Sequence, residues 1–249
     1  MPKITLEKIS AGYVSGKKAT GVFKDLDLAF QSEAVNVILG ESGCGKTTLL
    51  RLIAGGISPE KGRIYFDDLD ITDLPIRDRN LALVNQSITL YPHYTVFKNI
   101  AFPLMHTLSS GDEIKERVYE VSRLLRIEHL LTRKPKQISL GQAQRVAIAK
   151  AIIKKPDVLL FDEPFSNLDE PFRVQLRAEL KLLLTQLKTT SVFVTHSVKE
   201  AMAIGDFVYI LADGQVKEEL EAKRLLEVKS EIGKQLVASE FGEENVQSK

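Results

Sequence analysis

The residues Gly40-Glu41-Ser42-Gly43-Cys44-Gly45-Lys46-Thr47 have the spacing of a loop that wraps phosphate. Its three glycines let the backbone curl until successive N–H groups point inward as an anion nest. A helix starting there adds its partial positive charge. Lys46 is placed to reach the β- and γ-phosphates of a nucleotide, and the Thr47 hydroxyl to ligate Mg²⁺. A second chemical pair, Asp162-Glu163, ends the apolar run Val158-Leu159-Leu160-Phe161. Ligands of open α/β sheets gather at such strand ends. Neighbours on a strand point to opposite sides, so the two acids are expected to do different work. Asp162 suits Mg²⁺ through its water shell, and Glu163 suits polarising an attacking water.

These groups need elements to hold them. Val35-Asn36-Val37-Ile38-Leu39 reads as a buried strand before the loop, and Leu49, Leu50, Leu52 and Ile53 as one face of a helix after it. Residues 3–8 and 22–30 alternate apolar and polar, with a hairpin tip around Gly16 to Gly21, which predicts an antiparallel sheet. Arg63–Phe66 and Leu81–Val84 are short strands, the latter running into Asn85-Gln86. The segment from Ser87 to Met105 is rich in aromatics and prolines and suits an irregular, partly exposed platform. Helical spacing follows over 111–131 and from Ser139 through Ile153. Helices at about 170–187 and 198–204, a strand at 191–195, a hairpin arm at 207–214 and a helical stretch at 220–239 complete the chain, with a polar tail from Gly242. The succession is α/β, with a mostly helical insertion over about 87–150 between two halves of a sheet.

At 249 residues the chain is ample for a large core. A net charge of +1 leaves no electrostatic footprint of a nucleic-acid binder. The single cysteine, Cys44, excludes an intrachain disulfide and a multi-cysteine metal site. Helix-end N–H groups there would favour a lowered pKa, but a small space-filler is the role favoured, and alkylation there is expected to block nucleotide binding. The start lacks the apolar run of a signal peptide, and no stretch approaches the ~20 apolar residues of a membrane span.

Several further residues, taken with the phosphate loop and in this order, resemble the ATP-binding subunit of an ABC transporter over roughly residues 3–220. Tyr13 matches the aromatic that stacks on adenine, and Gln86 the glutamine that joins the Mg²⁺ and water site to the membrane partner. Ser139-Leu140-Gly141-Gln142-Ala143-Gln144-Arg145 matches the signature element, Ser166-Asn167-Leu168-Asp169 the loop that communicates across a dimer, and His196 the switch histidine. The resemblance implies a P-loop NTPase with a RecA-like core, an N-terminal antiparallel β subdomain and an inserted α-helical subdomain. It implies ATP held by Tyr13, by Gly40, Glu41, Ser42, Gly43, Cys44, Gly45, Lys46, Thr47 and Thr48, and across a dimer by Ser139, Gly141, Gln142 and Asp169. It assigns Mg²⁺ to Thr47, Gln86 and Asp162, and catalysis to Glu163, His196 and Gln86.

Partners follow from the same resemblance: a second ATPase subunit, identical or related, and separate transmembrane subunits contacting residues 86–105. The aromatics of 90–100 are expected to form the groove for a membrane-subunit helix. The importer type of system, with its solute-binding protein, is the reading favoured; an exporter or lipid-transport subunit is the alternative, and a soluble non-transport ATPase is further off. The place is the cytoplasmic face of the membrane, as a peripheral subunit. Residues 1–220 are expected to be the ATPase domain and 221–249 a short helix and tail with no regulatory domain. One departure stands out: the family's serine-glycine-glycine reads Ser139-Leu140-Gly141, which adds bulk and stiffens the helix start, so reduced turnover is expected.

Overall fold

The strand β3 (Val35–Leu39) is buried along its whole length because it sits inside a six-stranded sheet of order β10-β9-β3-β8-β7-β6. Its partners are β6 (Leu81–Val84), β7 (Val158–Asp162), β8 (Thr190–Thr195), β9 (Phe207–Ala212) and β10 (Gln215–Glu221). The pairs β3–β8, β3–β9, β7–β8 and β6–β7 are parallel, and β10 returns antiparallel on β9. This computed structural model describes residues 1–15, 18–105 and 110–242, the side chains of 13–20 excepted.

Both faces of the sheet are covered, as parallel sheets require, and the residues alternate between them with the period of a strand. Val37, Leu39, Leu159, Phe161, Phe193, Val208 and Ile210 enter one hydrophobic cluster. Ile38, Val158, Leu160, Val192, Val194, Tyr209 and Leu211 enter the other. The second cluster is closed by α1 (Lys46–Ala54) and by a four-stranded antiparallel sheet of order β2-β1-β4-β5. Its strands are β1 (Ile4–Ser15), β2 (Lys18–Phe30), β4 (Lys61–Phe66) and β5 (Leu69–Asp70). Of the stretch expected as a hairpin tip, 16 and 17 lie outside the described residues, while Lys18 to Gly21 already belong to β2.

The first cluster is covered by helices. Between β6 and β7 come α2 (Val96–Ala101), α3 (Gly111–Leu124) and α4 (Leu140–Ile152). Thus the aromatic stretch is not wholly irregular. Thr95 caps α2, and the fully buried Asn99 ties the preceding loop by bonding the backbone of Tyr91, Tyr94 and Thr95. Beyond β7 lie α5 (Glu170–Leu187), α6 (Val198–Ile204) and α7 (Glu231–Phe241). The helical stretch expected over 220–239 is broken. β10 continues to Glu221, a 3₁₀ turn spans Ala222–Glu227, and α7 starts only at Glu231. The Glu218 carboxylate accepts the N–H groups of Lys229 and Ser230 and so holds the break open. Among the described residues no helix is long and apolar enough to cross a membrane.

Candidate functional site

The strand order places four chain segments side by side at one end of the sheet. The phosphate-type loop leaves β3, residue 196 leaves β8, residues 162–163 leave β7, and residues 85–86 leave β6. Register keeps these ends level: Leu39 lies opposite Thr195, and Asp162 opposite Val194. Phe161 and Phe193 stack beneath them with ring centroids 4.1 Å apart.

Gly45 opens α1 at φ 110, and a Cβ there would fall 2.7 Å from the Val22 side chain, so both conformation and space require glycine. The Lys46 ammonium, 5% exposed, donates to the carbonyls of Gly40 and Glu41, each at 2.8 Å, folding back over the loop. Beside the loop is a cavity of about 600 Å³ lined by Glu41, Ser42, Gly43, Cys44, Gly214 and Lys217. Thr48 is buried on the first turn of the helix. Burial pushes the Cys44 thiol up, against the pull of the Lys46 charge and of backbone N–H groups. Desolvation thus exceeds the helix-end effect, and the side chain packs against the second hydrophobic cluster, as a small space-filler does.

The Thr47 hydroxyl donates to Asp162 Oδ1 at 3.0 Å. Burial raises the Asp162 carboxyl, and the neighbouring Glu163 adds to the rise. Glu163 does not continue the strand; it adopts φ 43, in the left-handed region. The two acid side chains are thus parted by this kink and not by strand alternation, and Glu163 reaches His196. Its Oε2 lies 3.3 Å from His196 Nδ1. Ser166 bonds the Glu163 carbonyl at 3.0 Å and steadies the turn.

The Gln86 side chain is exposed and is bonded to neither Asp162 nor Glu163, while its backbone carbonyl accepts from the Asn167 amide at 3.1 Å. Asn167 was not singled out for this from the sequence, because the bond spans 81 residues. Tyr13 lies opposite Thr20 in the β1–β2 ladder, and its side chain is outside the described set.

Ser139, Gly141 and Gln142 begin α4, away from these strand ends, and none is hydrogen-bonded to residues 40–47. Ser139 accepts the Gln142 N–H at 3.3 Å, and Gln142 Oε1 accepts the Ser139 N–H at 3.0 Å, a capping box. Gln142 is thus used locally. Leu140 is half exposed and takes no left-handed conformation, so no backbone strain marks the departure. Asp169 is exposed at the N-cap of α5. Arg145, buried on α4, pairs with Glu179 of α5 and donates to the Leu125 carbonyl. Thr195 donates to the buried Glu200 carboxylate at 2.6 Å.

Between β6 and α4 runs a groove of about 500 Å³, lined by Leu83, Ile88, Pro103, Ala147, Lys150 and Lys154 among others. Beside it lies an aromatic cluster. Tyr91, Tyr94 and Phe102 cluster together, and the Lys150 ammonium stands 4.5 Å from the Tyr91 ring centroid.

A family profile described as ABC transporter matches residues 23–166, covering the loop, the start of α4 and the acids that follow β7. The chain belongs to that family. It has the ABC ATPase fold, a P-loop NTPase of mixed α/β structure with an antiparallel sheet and helical parts. It is 46% identical over 201 residues to the trehalose/maltose import ATP-binding protein MalK of Thermococcus litoralis, covering 78% of this chain and 54% of that one. To the spermidine/putrescine import ATP-binding protein PotA of Vibrio parahaemolyticus it is 42% identical over 245 residues, covering 98% of this chain and 63% of that one. The chain thus spans little more than half the length of these relatives. Among solved structures it resembles an ATP-binding cassette seen as a dimer in a post-hydrolysis state with ADP and Pi. That match has a TM-score of 0.78 and 30% identity, over 88% of this chain and 99% of that one.

Proposed function

We propose that this chain is the ATPase subunit of an importer, binding and hydrolysing ATP to drive transport by separate membrane subunits. The observation that carries the reading is the convergence of Lys46, Thr47, Asp162, Glu163 and His196 at adjacent strand ends. The two relatives are both import ATP-binding proteins, which supports the importer direction.

The substrate triphosphate would replace the two carbonyls that now hold Lys46, bringing the ammonium to the β- and γ-phosphates. Glu163 would polarise the attacking water, and His196, beside it, would contact the γ-phosphate. Thr47 and Asp162 supply hydroxyl and carboxylate oxygens 3.0 Å apart, a hard donor pair that suits Mg²⁺ completed by phosphate and water. Bound there, Mg²⁺ would neutralise phosphate charge. Gln86 is proposed to join this site when the groove beside it is engaged.

Ser139 and the Gly141 N–H, remote from the loop of their own chain, would serve the γ-phosphate of a second subunit, with Gln142 and Asp169 nearby and Tyr13 against the adenine. Nucleotide then bridges two chains, and its hydrolysis removes the bridge, which is differential binding to closed and open states. The groove between β6 and α4, within reach of residues 86–105, is proposed as the seat of a transmembrane-subunit helix. Residues 1–220 act as the ATPase unit with 87–150 as its helical part, and 221–249 as an appended segment. The location is the cytoplasmic face of the membrane, in a system that includes a solute-binding protein. The test is phosphate release from ATP by the full chain. Glu163→Gln should abolish release and keep ATP binding; unaltered release in that variant would overturn the assignment.

A further inference from the structure

The His196 side chain is 56% exposed and pairs with Glu163. The backbone on either side sets where the ring starts from. On the β8 side, Thr195 Oγ1 donates to Glu200 at 2.6 Å and accepts the Ser197 N–H at 3.1 Å. On the α6 side the hold comes from a residue more than forty positions away. Glu240, near the end of α7, accepts the Val198 N–H on Oε1 at 2.8 Å and the Lys199 N–H on Oε2 at 3.0 Å, and Ser197 Oγ lies 3.4 Å from Oε2.

Helix starts leave N–H groups without intrahelical partners. The Ser197 hydroxyl takes the Glu200 N–H at 3.3 Å, so Glu240 takes the two that the cap leaves. α7 is anchored for this by the buried Leu236 and Val237, and the Lys199 ammonium lies 5.6 Å from the ring of Phe241, next to Glu240. Glu240 and His196 also line one small cavity with Arg173, Arg177 and Lys199.

We propose that Glu240 is a positioning residue for His196: its carboxylate fixes the first turn of α6 and thereby the approach of the imidazole to Glu163. Both oxygens are used as acceptors. Glutamine, with one acceptor and an NH₂ that faces N–H groups, replaces half of the hold. α7 is thus a strut to the switch histidine, and displacing it would slow hydrolysis without touching nucleotide. The effect on hydrolysis rests on the proposed role of His196; the effect on the ring position does not.

The test uses the full chain and the histidine ring NMR signals, four in all. In Glu240→Ala the His196 signal should shift and broaden while those of His93 and His129 stay, with Glu240→Gln intermediate. ATP affinity and KM should be unchanged, and kcat should fall roughly tenfold, since small misplacements of a reacting group are costly. An unmoved His196 signal in folded Glu240→Ala overturns the proposal. If that variant does not fold, the same signal in the isosteric Glu240→Gln decides. His196→Ala separates the two claims: full hydrolysis there defeats the role of His196 and leaves the ring measurement standing.

Discussion

Phe172 of α5 presses on Gly141 so closely that a Cβ at Gly141 would fall 2.3 Å from the ring. Glycine is held there by a neighbour, not by its backbone angle. The same ring lies 6.0 Å from the Arg145 guanidinium, so the start of α4 is registered on α5 at two points.

Gly141→Ala should therefore destabilise the chain by about 1–3 kcal/mol through overpacking, although alanine gains about 1 kcal/mol of helix propensity. Phe172→Leu in the same chain should restore much of the loss. Denaturant melts check this, and a single Gly141→Ala variant as stable as the parent would contradict the contact.

Leu140 offers the opposite case. It is half exposed on the first turn of α4, where a partner subunit's nucleotide is proposed to sit. Leu140→Gly should raise ATP turnover while lowering thermal stability, because glycine costs about 1 kcal/mol in a helix. An unchanged turnover rate would show that Leu140 does not tune it.

Glu200 sets a pH dependence. Burial raises its carboxyl above the ordinary value of 4.5, against the Thr195 hydroxyl and the Arg173 charge. The folded chain then holds this proton more tightly than the unfolded chain. That contribution is fully present below 4.5 and is lost as pH rises through the raised value. Glu200→Gln should flatten this part of the fall in melting temperature from acid toward neutral pH. Parallel pH profiles for the two proteins would contradict the assignment.

Cys44 lines the cavity beside the loop with its thiol pushed up by burial. Alkylation should be slow at neutral pH, speed up as pH rises, and be hindered by ATP. Fully alkylated protein should no longer bind ATP; retained binding would remove Cys44 from the nucleotide site.

The phosphate loop, the paired acids and the alternating strands were legible in the sequence because each is a local pattern with one physical solution. Glycines at 43 and 45 take positive φ, and Leu39 and Ile38 do face opposite clusters. The left-handed turn at Glu163 was not legible, since a glutamate carries no local signal for it. Nor was the Asn167 bond to Gln86, or the Glu240 hold on α6, since both are made by residues far apart in the chain. The break before α7 was missed for the same reason: the carboxylate that satisfies Lys229 and Ser230 belongs to β10. At Cys44 the space-filling reading agrees with the packing of the thiol on the second cluster, and burial decides the sign.

Two chains are proposed to close around ATP. The solution mass of Glu163→Gln, which should bind ATP and not hydrolyse it, is to be measured with ATP and Mg²⁺ and without nucleotide. A nucleotide-dependent shift from the mass of one chain to that of two is the predicted result. A variant that stays at the mass of one chain with ATP bound would contradict closure of two copies, and one that binds no ATP would contradict the site itself.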